Sequence, residues 1–139
     1  MTQKNESCQA REPTLPLEWG GTSGKRLSTF YQKMLSQRIG SKAVISWAMC
    51  TKIFKDLTAT HTEIQVASLL MAYMSYKPTI YPFDKWLVET PPKQMYPIGL
   101  FRKNYNVYIS YLIYDKKIEF DDVDTLKDIV YNFIDRLTY

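Results

Sequence analysis

The sequence predicts an α+β fold: a single small domain with a mainly antiparallel sheet packed against two to three helices, preceded by a flexible N-terminal arm. Three observations carry this. Thr60, followed three residues later by Glu63 and then by an apolar run to Tyr76, has the form of a capped, buried helix. Ile98 to Asp115 is dense in aromatic and β-branched residues at alternating positions, which is the mark of strands. Leu126, Ile129, Val130, Phe133, Ile134 and Leu137 recur at helical spacing near the end of the chain. With 139 residues, 45% of them hydrophobic and 14% aromatic, the chain can furnish one core, so one domain is expected.

Residues 1–24 read as the arm, polar and closing on Gly20, Gly21 and Gly24, and residues 25–139 as the globular domain. Within the arm Pro13, Leu15, Pro16, Leu17 and Trp19 form an apolar, extended segment, and docking in another surface's groove stands beside plain disorder as its fate. Lys25 to Ile39 follows as a basic amphipathic helix, with Leu27, Phe30, Tyr31, Met34 and Leu35 on one stripe and Gly40 as its stop. Its apolar stripe can pack on its own domain, on a membrane surface or on a partner protein.

From Ala43 to Leu57 the period changes, Ile45, Trp47, Met49, Thr51 and Ile53 alternating with their neighbours, and a first strand is expected. Asp56 to Ala59 turns into the central helix, where full enclosure of Ile64, Leu70 and Met71 would contribute roughly 1.5 to 3 kcal/mol each. Lys77-Pro78 ends that helix, because the residue before proline is pushed out of the α region. Thr79 to Val88 reads as an extended piece and Glu89 to Pro97 as a stiff surface loop. Arg102, Lys103 and Asn104 form the turn between two strands, Ile118 to Phe120 adds a short one, and Asp121, Asp122 or Asp124 caps the last helix.

Charge is distributed unevenly. The net value of +4 is mild, but Lys25, Arg26, Lys33, Arg38, Lys42, Lys52 and Lys55 occur with no acid between Glu18 and Asp56. From Tyr111 onward seven acids outnumber four bases, so the chain is bipolar and head-to-tail self-association is open to it. Two cysteines, Cys8 and Cys50, fit a reducing compartment. No apolar leader or spanning stretch is legible, so neither secretion by a signal peptide nor a transmembrane segment is expected.

Little in the sequence points to catalysis. His61 is the lone histidine, and the cysteines have no zinc spacing, so no metal site or cofactor is expected. Gly20 to Arg26, GGTSGKR, resembles a phosphate loop, yet Trp19 occupies the first glycine's place and Arg26 that of the magnesium-binding hydroxyl. Nucleotide hydrolysis is not expected from it.

The string Thr90-Pro91-Pro92, then Ile98-Gly99-Leu100, then Ile113-Tyr114-Asp115 resembles the C-terminal part of rhabdovirus matrix proteins, the vesiculovirus branch especially. That resemblance covers roughly Lys42 to the C-terminus. It implies an early strand, a hydroxyl-capped helix, an aromatic segment around Pro82-Phe83, a sheet and a terminal helix. It also implies a non-enzymatic protein of the virion and of the host cytoplasm or inner face of a host membrane, which binds anionic membrane, self-associates as a homo-oligomer and condenses the viral nucleocapsid for budding. No Pro-Pro-x-Tyr or Pro-Thr-Ala-Pro budding motif accompanies it.

On this reading Lys25, Arg26, Lys33, Arg38, Lys42, Lys52, Lys55, Arg102 and Lys103 meet lipid or nucleic acid, and Phe30, Tyr31, Met34 and Leu35 insert into the membrane. Pro13, Leu15, Pro16, Leu17 and Trp19 dock on a neighbouring subunit. The alternative is a nucleic-acid-binding accessory protein of a phage or mobile element, in which the same bases meet RNA or DNA phosphates and Trp47, Phe101 or Tyr105 stack on bases.

Overall fold

Alternating apolar residues do not here make strands. In the computed structural model, which describes residues 13–75 and 98–139, all the regular structure is helical and no strand occurs among the described residues. The helices are α1 (Ser23–Ile39), α2 (Trp47–Thr58), α3 (Glu63–Ser75), α4 (Ile98–Ser110) and α5 (Val123–Ile134). A 3-10 turn at Leu17–Trp19 precedes α1, and α4 runs on into a π-helical turn at Tyr111–Asp115. The expected antiparallel sheet, and with it the sheet that the matrix resemblance implies, is therefore corrected to a helical bundle.

The two largest strand expectations fail for one reason. Cys50, Ile53, Phe54 and Leu57 lie at helical spacing inside the first supposed strand, and they are the residues that α2 buries. Phe101, Tyr108 and Leu112 do the same in the second, as the buried face of α4 and the π-turn. A 3.6-residue stripe and a two-residue alternation coexisted in each segment, and packing against α3 selected the stripe. Ser46 opens α2, its hydroxyl accepting from Met49 N–H at 3.4 Å. Asn104, assigned to a hairpin turn, is a kink inside α4, with φ −119° and ψ 19° and its side-chain amide donating to Leu100 O at 3.1 Å. Ile118 to Phe120 is irregular. Thr79 to Val88, Glu89 to Pro97, Lys77-Pro78 and the Pro82-Phe83 pair lie outside the described residues.

The helix that the chain is built around is α3, and it touches each of the other four. Ile64, Val66, Ala67, Leu69, Leu70 and Tyr73 on it are fully buried, so it has almost no polar face to present. Its cap lies two residues beyond the expected one: Gln65 N–H donates to Thr62 Oγ1 at 3.1 Å, and Thr62 N–H to Gln65 Oε1 at 2.9 Å. That register turns Glu63 inward. α1 ends as expected on Gly40, whose φ of +79° suits a residue without a side chain. Asp122 caps α5, its carboxylate accepting from Thr125 N–H and Oγ1, and these bonds hold its pKa below the usual carboxylate value.

The expected arm is folded from Pro13 onward. Leu15 is fully buried, Tyr131 Oη donates to Thr14 O at 2.6 Å, and Trp19 stacks on Phe30 at 5.8 Å. Residues 13–22 thus form a strap across the bundle, and Ser23 and Gly24, also counted in the expected arm, open α1.

Candidate functional site

The seven bases of the acid-free stretch do not form one surface. Arg26 is buried and ion-paired with Glu63, hydrogen bonds and charge from that carboxylate raising its pKa. Lys33 donates to Tyr139 O at 2.9 Å and lies 5.4 Å from the Trp19 ring centre, while Arg38 donates to Met74 O at 2.9 Å. Lys25, Lys42, Lys52 and Lys55 remain exposed. Arg102 pairs with Asp56 at 2.9 Å, both side chains about half exposed, a geometry of small energetic consequence; Lys103 is exposed beside it.

The expected insertion residues are core. Phe30, Tyr31, Met34 and Leu35 are all buried, packed within the bundle, and the Tyr31 hydroxyl has its pKa pushed well above the ordinary value by that burial. An amphipathic helix inside a bundle has already spent its apolar face, so these side chains cannot enter a lipid surface while the fold is intact. The docking segment is corrected likewise: Leu15 is held under its own domain, its N–H donating to Glu63 Oε2 at 2.8 Å, and Trp19 is occupied by Phe30 and Lys33. Leu17 alone of the five is exposed, Pro13 and Pro16 being half-buried.

Other apolar side chains face solvent. Ala43 is anchored inward by both backbone groups, its N–H to Ser36 Oγ at 2.8 Å and its carbonyl to Gln32 Nε2 at 2.9 Å. The next residue, Val44, is consequently thrust outward, 95% exposed. Trp47 and Met49 follow on the first turn of α2 at 40% and 52% exposure. Sequence reasoning missed Met49 because a strand would have turned Met49 and Trp47 to one face together.

Beside Trp47, α1 and α2 flank an open groove of about 890 Å³ lined by Thr22, Lys25, Trp47, Ala48, Thr51, Lys52 and Lys55. Gly24 lies where the two helices approach closely. A Cβ at that position would stand 3.1 Å from both Thr51 Cγ2 and Thr51 O, so glycine lets the start of α1 approach the middle of α2. Three lysines from two helices therefore share one concavity, and no acid lines it.

Other chemistry is sparse among the described residues. They contain no group of three or more His, Cys, Asp and Glu side chains placed to hold a metal, and no helix long and apolar enough to cross a membrane. His61 packs edge-on to Tyr105 and Phe120, with Nδ1 2.9 Å from Thr60 Oγ1. The Cys50 thiol is buried, and desolvation pushes its pKa up to about 11. Phe101, one of the expected stacking residues, is fully buried against Phe54 and Tyr73. Comparison with family models, with curated proteins and with solved structures gives no match for this chain.

Proposed function

We propose that this chain is a non-enzymatic peripheral protein that docks on an anionic membrane through the outward face of α2 and the connector before it. The observation that carries the reading is Trp47, 40% exposed, which lines one groove with the exposed Lys25, Lys52 and Lys55, while Val44 and Met49 hold further apolar surface in solvent close by in the sequence. Such a surface has the two components of interfacial binding. Each suitably placed lysine is worth about 1 kcal/mol against anionic lipid, and shallow insertion of apolar side chains adds a term that salt does not screen. Val44 and Met49 favour lipid over nucleic acid, since neither has a ring to stack on a base. Self-association belongs to the same reading, setting the exposed acids Asp121, Asp122, Asp124, Asp128 and Asp135 of one copy against the lysines of the next.

Flotation with phosphatidylserine vesicles, at low and high salt and with neutral vesicles as control, tests this. The expected result is flotation that requires anionic lipid and falls roughly tenfold or more when Val44→Asn, Trp47→Ala and Met49→Ser are combined. Absence of flotation at low salt, together with a steeply salt-dependent affinity for RNA or DNA, would replace the membrane reading with the nucleic-acid one.

A further inference from the structure

Resting on the membrane reading, we infer that the groove between α1 and α2 selects lipids whose headgroup carries more than one phosphate, rather than anionic lipid in general. Lys25, Lys52 and Lys55 line one concavity with no acid among them. Lys25 reaches that concavity from α1 and Lys52 and Lys55 from α2, so an anion held there meets positive charge from both helices. Two features of the sequence bear on it. Lys25 occupies the third position of α1, where Glu or Gln would complete a capping box with Thr22. Gly24 eases the close approach of α1 to Thr51, where a Cβ would stand at 3.1 Å. A concavity lined by lysines from two helices, with no acid in its lining, is a surface that an anionic ligand complements.

The geometry restricts that ligand. Phosphatidylserine offers one net negative charge per headgroup and suits lysines spread over a flat face. Three lysines facing one groove are neutralised together only by a headgroup with clustered phosphates. At about 890 Å³ the groove is of the size that holds small ligands, which leaves room for a sugar-like ring bearing those phosphates. Trp47 lines the groove at 40% exposure, so its ring lies beside a headgroup held there. The GGTSGKR segment, whose last four residues open α1, thus finds a role through Thr22 and Lys25 without hydrolysis, its Arg26 being committed to Glu63.

The test is sedimentation of the full chain with vesicles containing either phosphatidylinositol bisphosphate or phosphatidylserine, matched for total negative charge, and inositol hexakisphosphate as a soluble competitor. The expected result is roughly tenfold tighter binding to the bisphosphate vesicles, reversed by the competitor. Ala48→Tyr fills the groove from an exposed position without changing charge, and is expected to abolish the preference. Lys52→Ala with Lys55→Ala is expected to lose the preference as well. Equal binding to the two charge-matched vesicles would overturn the headgroup selection and leave the membrane reading standing. Binding of inositol hexakisphosphate with neither vesicle bound would overturn the lipid source and the membrane reading together.

Discussion

Arg26 and Glu63 meet in the interior through two parallel hydrogen bonds, Nε to Oε2 at 2.8 Å and Nη2 to Oε1 at 2.7 Å. The pair is also a clasp: Glu63 Oε2 accepts from Leu15 N–H at 2.8 Å, and Arg26 Nη1 donates to Gly20 O at 3.1 Å, so both ends of the N-terminal strap are tied to it. Glu63→Ala leaves a buried guanidinium and an unmet strap N–H, and is expected to cost about 3 to 5 kcal/mol in urea denaturation. Limited proteolysis near Leu17 is expected to accelerate in the same variant. Loss of stability without that acceleration would show that the strap is held by Leu15 packing alone.

The shifted cap of α3 gives a second prediction. Thr62→Ala removes the hydroxyl that accepts from Gln65 N–H and is expected to destabilise by about 1 kcal/mol. Thr60→Ala should change little, since its hydroxyl reaches only Leu57 O at 3.4 Å and His61. If the two costs came out in the opposite order, the helix would begin where the sequence first suggested.

Three helices were readable from the chain alone, and the reason lies in their ends. Gly40 stops α1, an acid at Asp122 opens α5, and the apolar surround of α3 admits only burial. α2 and α4 were not readable, because Trp47, Met49 and Thr51, like Tyr105, Val107 and Ile109, suit a pleated surface as well as a helix. Only neighbours far along the chain decide, as Phe101 does by meeting Phe54 at 6.2 Å and Tyr73 at 5.5 Å. The candidate site was legible in part: Lys25, Lys42, Lys52 and Lys55 stood out as an acid-free run, whereas the burial of Arg26 depends on Glu63, 37 residues away. Local charge counting cannot see that partner.

Phe30 separates a core residue from a membrane anchor. It is fully buried between Trp19 and Phe133, stacked on one at 5.8 Å and edge-on to the other at 6.0 Å. Phe30→Ala is expected to lose about 3 to 5 kcal/mol of stability by transfer and cavity terms. A variant that kept its stability and lost vesicle binding would return Phe30 to the membrane surface.

Alkaline pH offers the last prediction. Burial of the Cys50 thiol lifts its pKa from an ordinary 9.0 to about 11 in the folded chain. Between those values the unfolded chain releases the proton while the folded one retains it, so the unfolded state binds fewer protons and stability falls as pH rises. The contribution is complete below about pH 9 and spent once pH passes about 11. Tyr31, raised in the same direction by burial, extends the decline from its own ordinary value of 10.0 upward. Denaturation midpoints followed from neutral pH to pH 11 are therefore expected to decline from about pH 9. Cys50→Ala is expected to flatten the early part of that curve whatever it does to its height. Thiol alkylation gives an independent reading: in a Cys8→Ser background, Cys50 should stay unreactive at neutral pH until denaturant opens the core, because a buried, protonated thiol is neither accessible nor nucleophilic. Fast labelling of the native protein would contradict both the burial and the raised pKa.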